Sequence, residues 1–366
     1  MTLNLDTLEQ WVSPSIRSLA SKTVGPHKDD QAIRLDKGEL PYPPSPKVVE
    51  AITQVATTCN RYPAVLGGVL RERLATYTGA SPEQLIISNG SDDLIELIIK
   101  VFVQPGQQVL LPVPSFFVYW HATQVMGGVP VFVQRTPDFG LDVDALVAKV
   151  APDTKVLYIA NPNNPTANLV ARETLVEVLN RVNCMVVVDE CYFELCQTTI
   201  ADLVDTYPHL IVLRSLSKSF GLAGLRIGYG IANTQVVDYL YRAAQLFPVN
   251  KVAISAGIAA LKDQAYVEAN IQKILAEKPR LQQALTDLGL KVHPSETNFL
   301  LVDTQPLNLQ SKVLVKALQE QNIWVADFGS KPGLGDHYFR TAVGTPAENQ
   351  ALLKGLEVAI SQSTSV

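Results

Sequence analysis

Short apolar runs alternate with longer amphipathic ones from about residue 80 onward. QLIIS (84–88), QVLLPV (108–113), VPVFV (129–133), KVLYIA (155–160), CMVVVD (184–189) and LIVLRS (210–215) have the length and β-branched content of buried strands. Between them, LIELIIKVF (94–102), LDVDALVAKV (141–150) and ARETLVEVLNRV (171–182) space their apolar residues at helical intervals, and a further segment starts near SFFVYW (115–120). Strands apolar throughout, separated by helices, predict an α/β sheet covered on both faces. A ligand is expected beyond the carboxyl ends of those strands.

The pattern changes on either side of this region. The first thirty residues are poorly periodic, and RLDKGELPYPPSP (34–46) carries Pro41, Pro43, Pro44 and Pro46. Fixed φ and missing N–H groups exclude a helix there and predict an extended arm. Such an arm serves equally as a site cover, a crossing to a second subunit or a surface connection. After residue 260, EANIQKILAEKPRLQQALTDLG predicts a long helix with a kink or break at Pro279. TNFLLVD and NIWVAD read as strands, SKVLVKALQEQ as a helix, and the chain from TPAENQ onward as a terminal helix. The expected organisation is an arm contributing to the small domain (1–45), a large domain (46–260) and a small α/β domain (261–366).

Composition narrows the functional classes. In 366 residues, 30 basic and 35 acidic side chains give a net charge of −5, which provides no general field for nucleic acid. The apolar runs are too short for an ordinary membrane span, and no secretory signal pattern opens the chain. Cys59, Cys184, Cys191 and Cys196 form no CxxC pair, and the five histidines have no metal-binding spacing. Buried thiols in a reducing cytoplasm, with no metal, no membrane and no nucleic-acid partner, are the expectation.

Three segments carry candidate chemistry. In SNGSDD (88–93), between a strand and a helix, Gly90 permits an unusual turn and Ser91 is a candidate helix cap. The N–H groups beyond it suit a phosphate, although a structural turn explains the same letters. No GxxxxGK[ST] sequence occurs, which weakens a nucleotide triphosphatase reading. VVVDECY places Asp189 at the end of a strand, where it could pair with a protonated heterocycle, with Tyr192 near enough for a phenolic oxygen; strand capping is the plainer explanation. SLSKSFGLAGLRIGYG sets Ser215, Ser217 and Arg226 around Lys218. Two hydroxyls and an arginine can hold a phosphate, and a neighbouring amine can form a Schiff base with an aldehyde. An ordinary surface lysine fits the same local composition.

Taken in order, the chain resembles the fold-type I pyridoxal-phosphate enzymes, specifically the histidinol-phosphate aminotransferase-like branch. The resemblance runs through RYP (61–63), SNGSDD, PSFFVY (114–119), NPNNPTA (161–167), VVVDECY, SLSKSFGLAGLRIGYG, TNFLLV (297–302) and FRTAVGTPAENQ (339–350). It implies a large three-layer α/β/α domain with a mainly parallel sheet plus a smaller α/β domain. It also implies pyridoxal 5'-phosphate as cofactor, with Lys218 as its covalent anchor and Asp189 as partner of its ring nitrogen. Asn164 and Tyr192 would contact its phenolic oxygen, and Phe116 would stack on its ring. Its phosphate would rest near Gly90, Ser91 and Asp92, with Ser215, Ser217 and Arg226. Tyr62 would reach the cofactor of a neighbouring subunit, implying a homodimer with shared sites. Arg340 would bind the substrate's acidic group beside Glu39 and Tyr42, and the Asn164–Pro165 bond would be cis. The implied reaction moves an amino group between histidinol phosphate and 2-oxoglutarate or glutamate, within histidine biosynthesis.

Two departures touch the substrate side. The branch's LDxNENPYP is here LDKGELPYP, with Gly38 and Leu40 where asparagines are usual, and its VRD is VAD, with Ala326 at the arginine position. A dianionic phosphate favours paired arginines, and Lys331 is the nearby replacement cation to consider. An amino-acid aminotransferase, possibly aromatic, is therefore the alternative. A threonine-phosphate decarboxylase, which SKPGLGDHYFR resembles, and a non-catalytic pyridoxal-phosphate-binding regulator are further ones.

Overall fold

A computed structural model describes residues 5–21 and 31–363; arm residues 1–4 and 22–30 and the last three residues, 364–366, lie outside the described residues. Among the described residues, thirteen strands make three sheets. After β1 (Ile33–Arg34) come β2 (Leu85–Ser88), β3 (Gln108–Val113), β4 (Val129–Gln134), β5 (Thr154–Ala160), β6 (Met185–Asp189), β7 (Leu210–Ser215) and β8 (Gly228–Ala232). β2 to β8 form one sheet in the order β2-β8-β7-β6-β5-β3-β4. Only β8 runs against its neighbours. The apolar side chains of β5, β6 and β7 are almost all buried on both faces, as parallel strands under two helical layers require.

The six strands expected from periodicity are present. β8 was not anticipated, because GYGIA interleaves glycine with apolar residues and lacks a strand's usual run. Tertiary context supplies the reason: a Cβ on Gly228 would lie 2.3 Å from the Gly90 carbonyl carbon. A side chain there would push the β2 turn away from the sheet.

The smaller sheet contains β9 (Lys291–Val292), β10 (Phe299–Asp303), β12 (Ala326–Asp327) and β13 (Tyr338–Ala342), ordered β12-β13-β10-β9 and antiparallel throughout. β11 (Ile323–Trp324) pairs in parallel with β1, so the proline-rich arm is tied to this smaller unit. NIWVAD thus splits into two short strands serving different sheets. The helix Gln264–Asp287 continues through Pro279 without the break expected there. Its inward face buries Ile271, Ile274, Leu281 and Leu285, and this packing outweighs the hydrogen bond lost at proline. No helix among the described residues is long and apolar enough to cross a membrane.

Behind the sheet edge, Arg214 donates through Nε and Nη2 to Glu190 Oε2 at 3.0 and 2.9 Å, and through Nη2 to Thr199 Oγ1 at 2.7 Å. Its guanidinium lies 3.6 Å from the Phe193 ring centroid. Both charged side chains are buried, and each sits one residue from a candidate site residue, Asp189 or Ser215. Arg214→Met is expected to strand the Glu190 charge and lower unfolding free energy by about 3 kcal/mol. Urea unfolding of the purified variant should show the loss as a lower midpoint.

Candidate functional site

Four parallel strands deliver their carboxyl ends to one edge. β3 ends at Val113 before Phe116, β5 at Ala160 before the loop of Asn164, β6 at Asp189, and β7 at Ser215 before Lys218. β2 ends there too, before Gly90, and the reversed β8 begins there just after Arg226. Residues spread over more than 130 positions thereby converge, which requires the parallel topology and no local pattern.

At the β2 end, Gly90 has φ +83° and is the residue that precedes the helix Ser91–Phe102. Ser91 is therefore the first helical residue and not the cap expected from sequence. Asp93 does local work instead, its carboxylate accepting from the Asn89 N–H at 3.0 Å. A Cβ on Gly90 would fall 2.4 Å from Arg226 Nη2, so the glycine lets the guanidinium lie against the turn. Arg226 also pairs with Asp92 at 3.1 Å. Ser215 Oγ donates to Ser217 Oγ at 2.9 Å, bringing the two hydroxyls together. Helix N–H groups, hydroxyls and a guanidinium held by a cradle that a side chain would fill fit a phosphate.

Asp189 is buried, with one oxygen accepting from the Tyr119 hydroxyl at 2.7 Å and the other from the Cys191 N–H at 3.0 Å. Burial pushes its carboxyl above the usual range, and hydrogen bonds from the Cys191 side chain, the Tyr119 hydroxyl and the Cys191 N–H oppose the rise. These donors are uncharged, so a protonated heterocycle fits the remaining lone pairs. Burial also pushes the Tyr192 hydroxyl up, against the lowering effect of the Arg340 charge.

Lys218 is half-buried, and its Nζ donates to the Lys37 carbonyl of the arm at 2.9 Å. Its ammonium is pushed down to about 8, first by burial and then by the charge of Arg340. A neutral, nucleophilic amine is thus accessible near neutral pH.

Arg340 extends from β13 into the same space. It donates to Asn164 Oδ1 at 2.5 Å and to the Asp36 carbonyl at 2.7 Å, while its Nε has no partner. Phe299 and Phe328 present their rings to it at 4.8 and 5.2 Å. Burial lowers its proton affinity, yet an arginine remains charged. The Asn164–Pro165 bond is cis as expected, as are Val113–Pro114 and Asn161–Pro162. Ala326 is the register partner of Arg340 across β12 and β13. Lys331 is exposed on the following loop.

Other expected residues lie farther out. Phe116 packs edge-on against Tyr119, their centroids 5.6 Å apart. Glu39 pairs with Arg34 at 3.3 Å and its charge reaches Lys218, whereas the Tyr42 ring faces Lys273 Nζ at 4.6 Å. Tyr62 is 81% exposed and stacked on Phe247 at 4.6 Å, so it does not join its own chain's site. Cys184 and Cys191 are buried, but Cys59 is exposed and Cys196 is intermediate, so only part of the thiol expectation holds. Sequence reading missed Tyr119, Asn298, which holds the Gly38 carbonyl at 2.9 Å, and Arg135, which holds Asn163 Oδ1 at 3.1 Å. The positions of Tyr119 in PSFFVY and Asn298 in TNFLLV were the available signals; nothing local marked Arg135.

The family model described as aminotransferase class I and II matches residues 30–356. A histidinol-phosphate aminotransferase of Methanosarcina mazei is 35% identical over 97% of this chain and 95% of its own. One from Methanosarcina barkeri is 37% identical over 89% and 88%. Among solved structures, the histidinol-phosphate aminotransferase of Sinorhizobium meliloti in complex with pyridoxal-5'-phosphate aligns with a TM-score of 0.89 and 27% identity, covering 96% of this chain and 98% of that one. The order of motifs, the convergent sheet edge and these full-length matches agree: the chain belongs to the class I and II aminotransferases, in the histidinol-phosphate aminotransferase-like branch of the fold-type I pyridoxal-phosphate enzymes.

Proposed function

We propose that this aminotransferase transfers the amino group of histidinol phosphate to 2-oxoglutarate, with pyridoxal 5'-phosphate as cofactor. The observation carrying the substrate reading is Arg340, a buried guanidinium with a free Nε placed beside Asn164 and within electrostatic reach of Lys218. Full-length similarity to histidinol-phosphate aminotransferases supports it.

Ser215, Ser217, Arg226 and the helix start at Gly90, Ser91 and Asp92 would hold the cofactor phosphate. Asp189 would hold the ring nitrogen, Asn164 and Tyr192 the phenolic oxygen, and Phe116 one ring face. Once bound, the cofactor supplies the electron sink for a substrate carbon that loses its proton. Lys218 provides the covalent anchor and the amine that takes up and returns that proton. Arg340 binds the anionic end of the substrate and orients it toward Lys218. The exposed Tyr62 serves the site of a second subunit, so the working unit is a homodimer. We place the enzyme in the cytoplasm, where its unpaired thiols stay reduced.

Ala326 favours a second reading, an amino-acid substrate carrying a single carboxylate. A turnover screen with histidinol phosphate, aromatic amino acids and threonine phosphate, using product mass detection, separates the readings. Dominant histidinol-phosphate transfer is expected; dominant aromatic transfer would replace the substrate, and carbon dioxide release from threonine phosphate would replace the reaction. Ala326→Arg places a second guanidinium opposite Arg340 and is expected to lower KM for histidinol phosphate about tenfold. KM for a monocarboxylate should change little in the same steady-state assay.

A further inference from the structure

We infer that Tyr119 is a positioning residue that keeps the Asp189 carboxylate ionised and oriented for the ring nitrogen of the cofactor. Tyr119 is fully buried on the helix Val118–Val125, and its hydroxyl lies 2.7 Å from Asp189 Oδ2. One side of its ring stacks on Tyr158 at 4.7 Å with planes 8° apart, and Phe116 meets it edge-on. The Tyr158 hydroxyl donates to the Ile95 carbonyl at 3.1 Å, in the helix whose start forms the candidate phosphate cradle. One tyrosine therefore touches two residues expected to contact the cofactor and is braced by a third element that approaches it.

The chemistry follows from the direction of the bond. Burial keeps the Tyr119 hydroxyl protonated, so it acts on Asp189 only as a donor. A donor stabilises the charged carboxylate against the cost of burial. The titratable groups acting on or with Asp189 include Tyr119, Tyr158, Cys191, Tyr192 and Asp92, and the Lys218 cation acts on the same Cys191. Uncharged hydrogen bonds help maintain the charge: the Cys191 side chain and N–H donate to the carboxylate, and Tyr119 donates its hydroxyl to Oδ2. Without it, the proton shared with the ring nitrogen would shift toward Asp189. The ring would lose positive charge, and the Lys218 nitrogen joined to the cofactor would hold its own proton to higher pH.

This inference rests on the pyridoxal-phosphate reading, so the wild-type protein is tested first with pyridoxal 5'-phosphate. Failure of the wild type to develop the visible absorbance of a lysine-bound cofactor would overturn that reading and this inference with it. In holoenzyme, Tyr119→Phe is expected to raise the pH midpoint of the bound cofactor's absorbance transition by about one unit. Tyr158→Phe, which leaves the Tyr119 hydroxyl in place, should leave the midpoint unchanged. In an Asp189→Asn background, Tyr119→Phe should add no further shift. An unshifted midpoint in Tyr119→Phe, or an equal shift in Tyr158→Phe, would overturn the inference. So would failure of Tyr119→Phe to fold, because the hydroxyl is assigned a tuning role and the ring stack supports the fold.

Discussion

Lys218→Ala should reduce kcat by about 10⁴-fold or more, because in the proposed function Lys218 is both the covalent anchor and the proton carrier. Burial and the Arg340 charge hold the amine at about 8, well below an ordinary lysine, so the wild-type group reaches its neutral form without strongly alkaline conditions. The sign is testable separately from turnover. Attachment of pyridoxal phosphate to the apoenzyme should accelerate as pH rises through about 8 and then level, since only the unprotonated amine attacks. In Lys218→Ala the lysine-bound absorbance should be missing at every pH, while the phosphate cradle still binds the cofactor noncovalently. Single-turnover absorbance and equilibrium dialysis would measure the two effects, and a Lys218→Ala protein with near-normal turnover would remove Lys218 from its assigned place.

Asp189→Asn should lower kcat by about 10³-fold with a much smaller change in KM. The substitution keeps the size of the side chain and an oxygen for the Tyr119 hydroxyl, but removes the charge that favours a protonated ring nitrogen. With Asp189 assigned to the cofactor and Arg340 to the substrate in the proposed function, the loss is expected in the chemical step. Steady-state kinetics with the accepted amino donor would separate kcat from KM. Equal losses in both would instead indicate that the site had collapsed around the new amide.

The two expectations draw on different levels of structure. Lys218 is a candidate from its neighbours in the chain, since Ser215, Ser217 and Arg226 lie within a dozen residues of it, and the ordered motifs single it out from an ordinary surface lysine. Its lowered proton affinity depends on the tertiary structure, because the larger cause is burial and the second is the charge of Arg340, which lies on β13 of the smaller sheet and reaches across to Asn164. Asp189 was legible as the polar end of an apolar strand. Its partner Tyr119 looked like one more aromatic in PSFFVY until helix and sheet brought its hydroxyl to the carboxylate.

Periodicity alone determined the alternation of strands and helices, and the ordered motifs determined the cofactor-binding type of enzyme. Those features are local, written in 2- and 3.6-residue repeats and in short runs that must form a turn or a strand end. Local patterning failed where packing overrode propensity. Gly228 begins a strand because only glycine fits beside Gly90, and the helix through Pro279 persists because its buried face holds it. Tertiary structure alone decided how Tyr119, Arg340, Asp36 and Asn298 meet the motif residues. Those contacts bridge long stretches of chain, and their energies come from burial and hydrogen bonds that exist only after the sheets and the arm have come together.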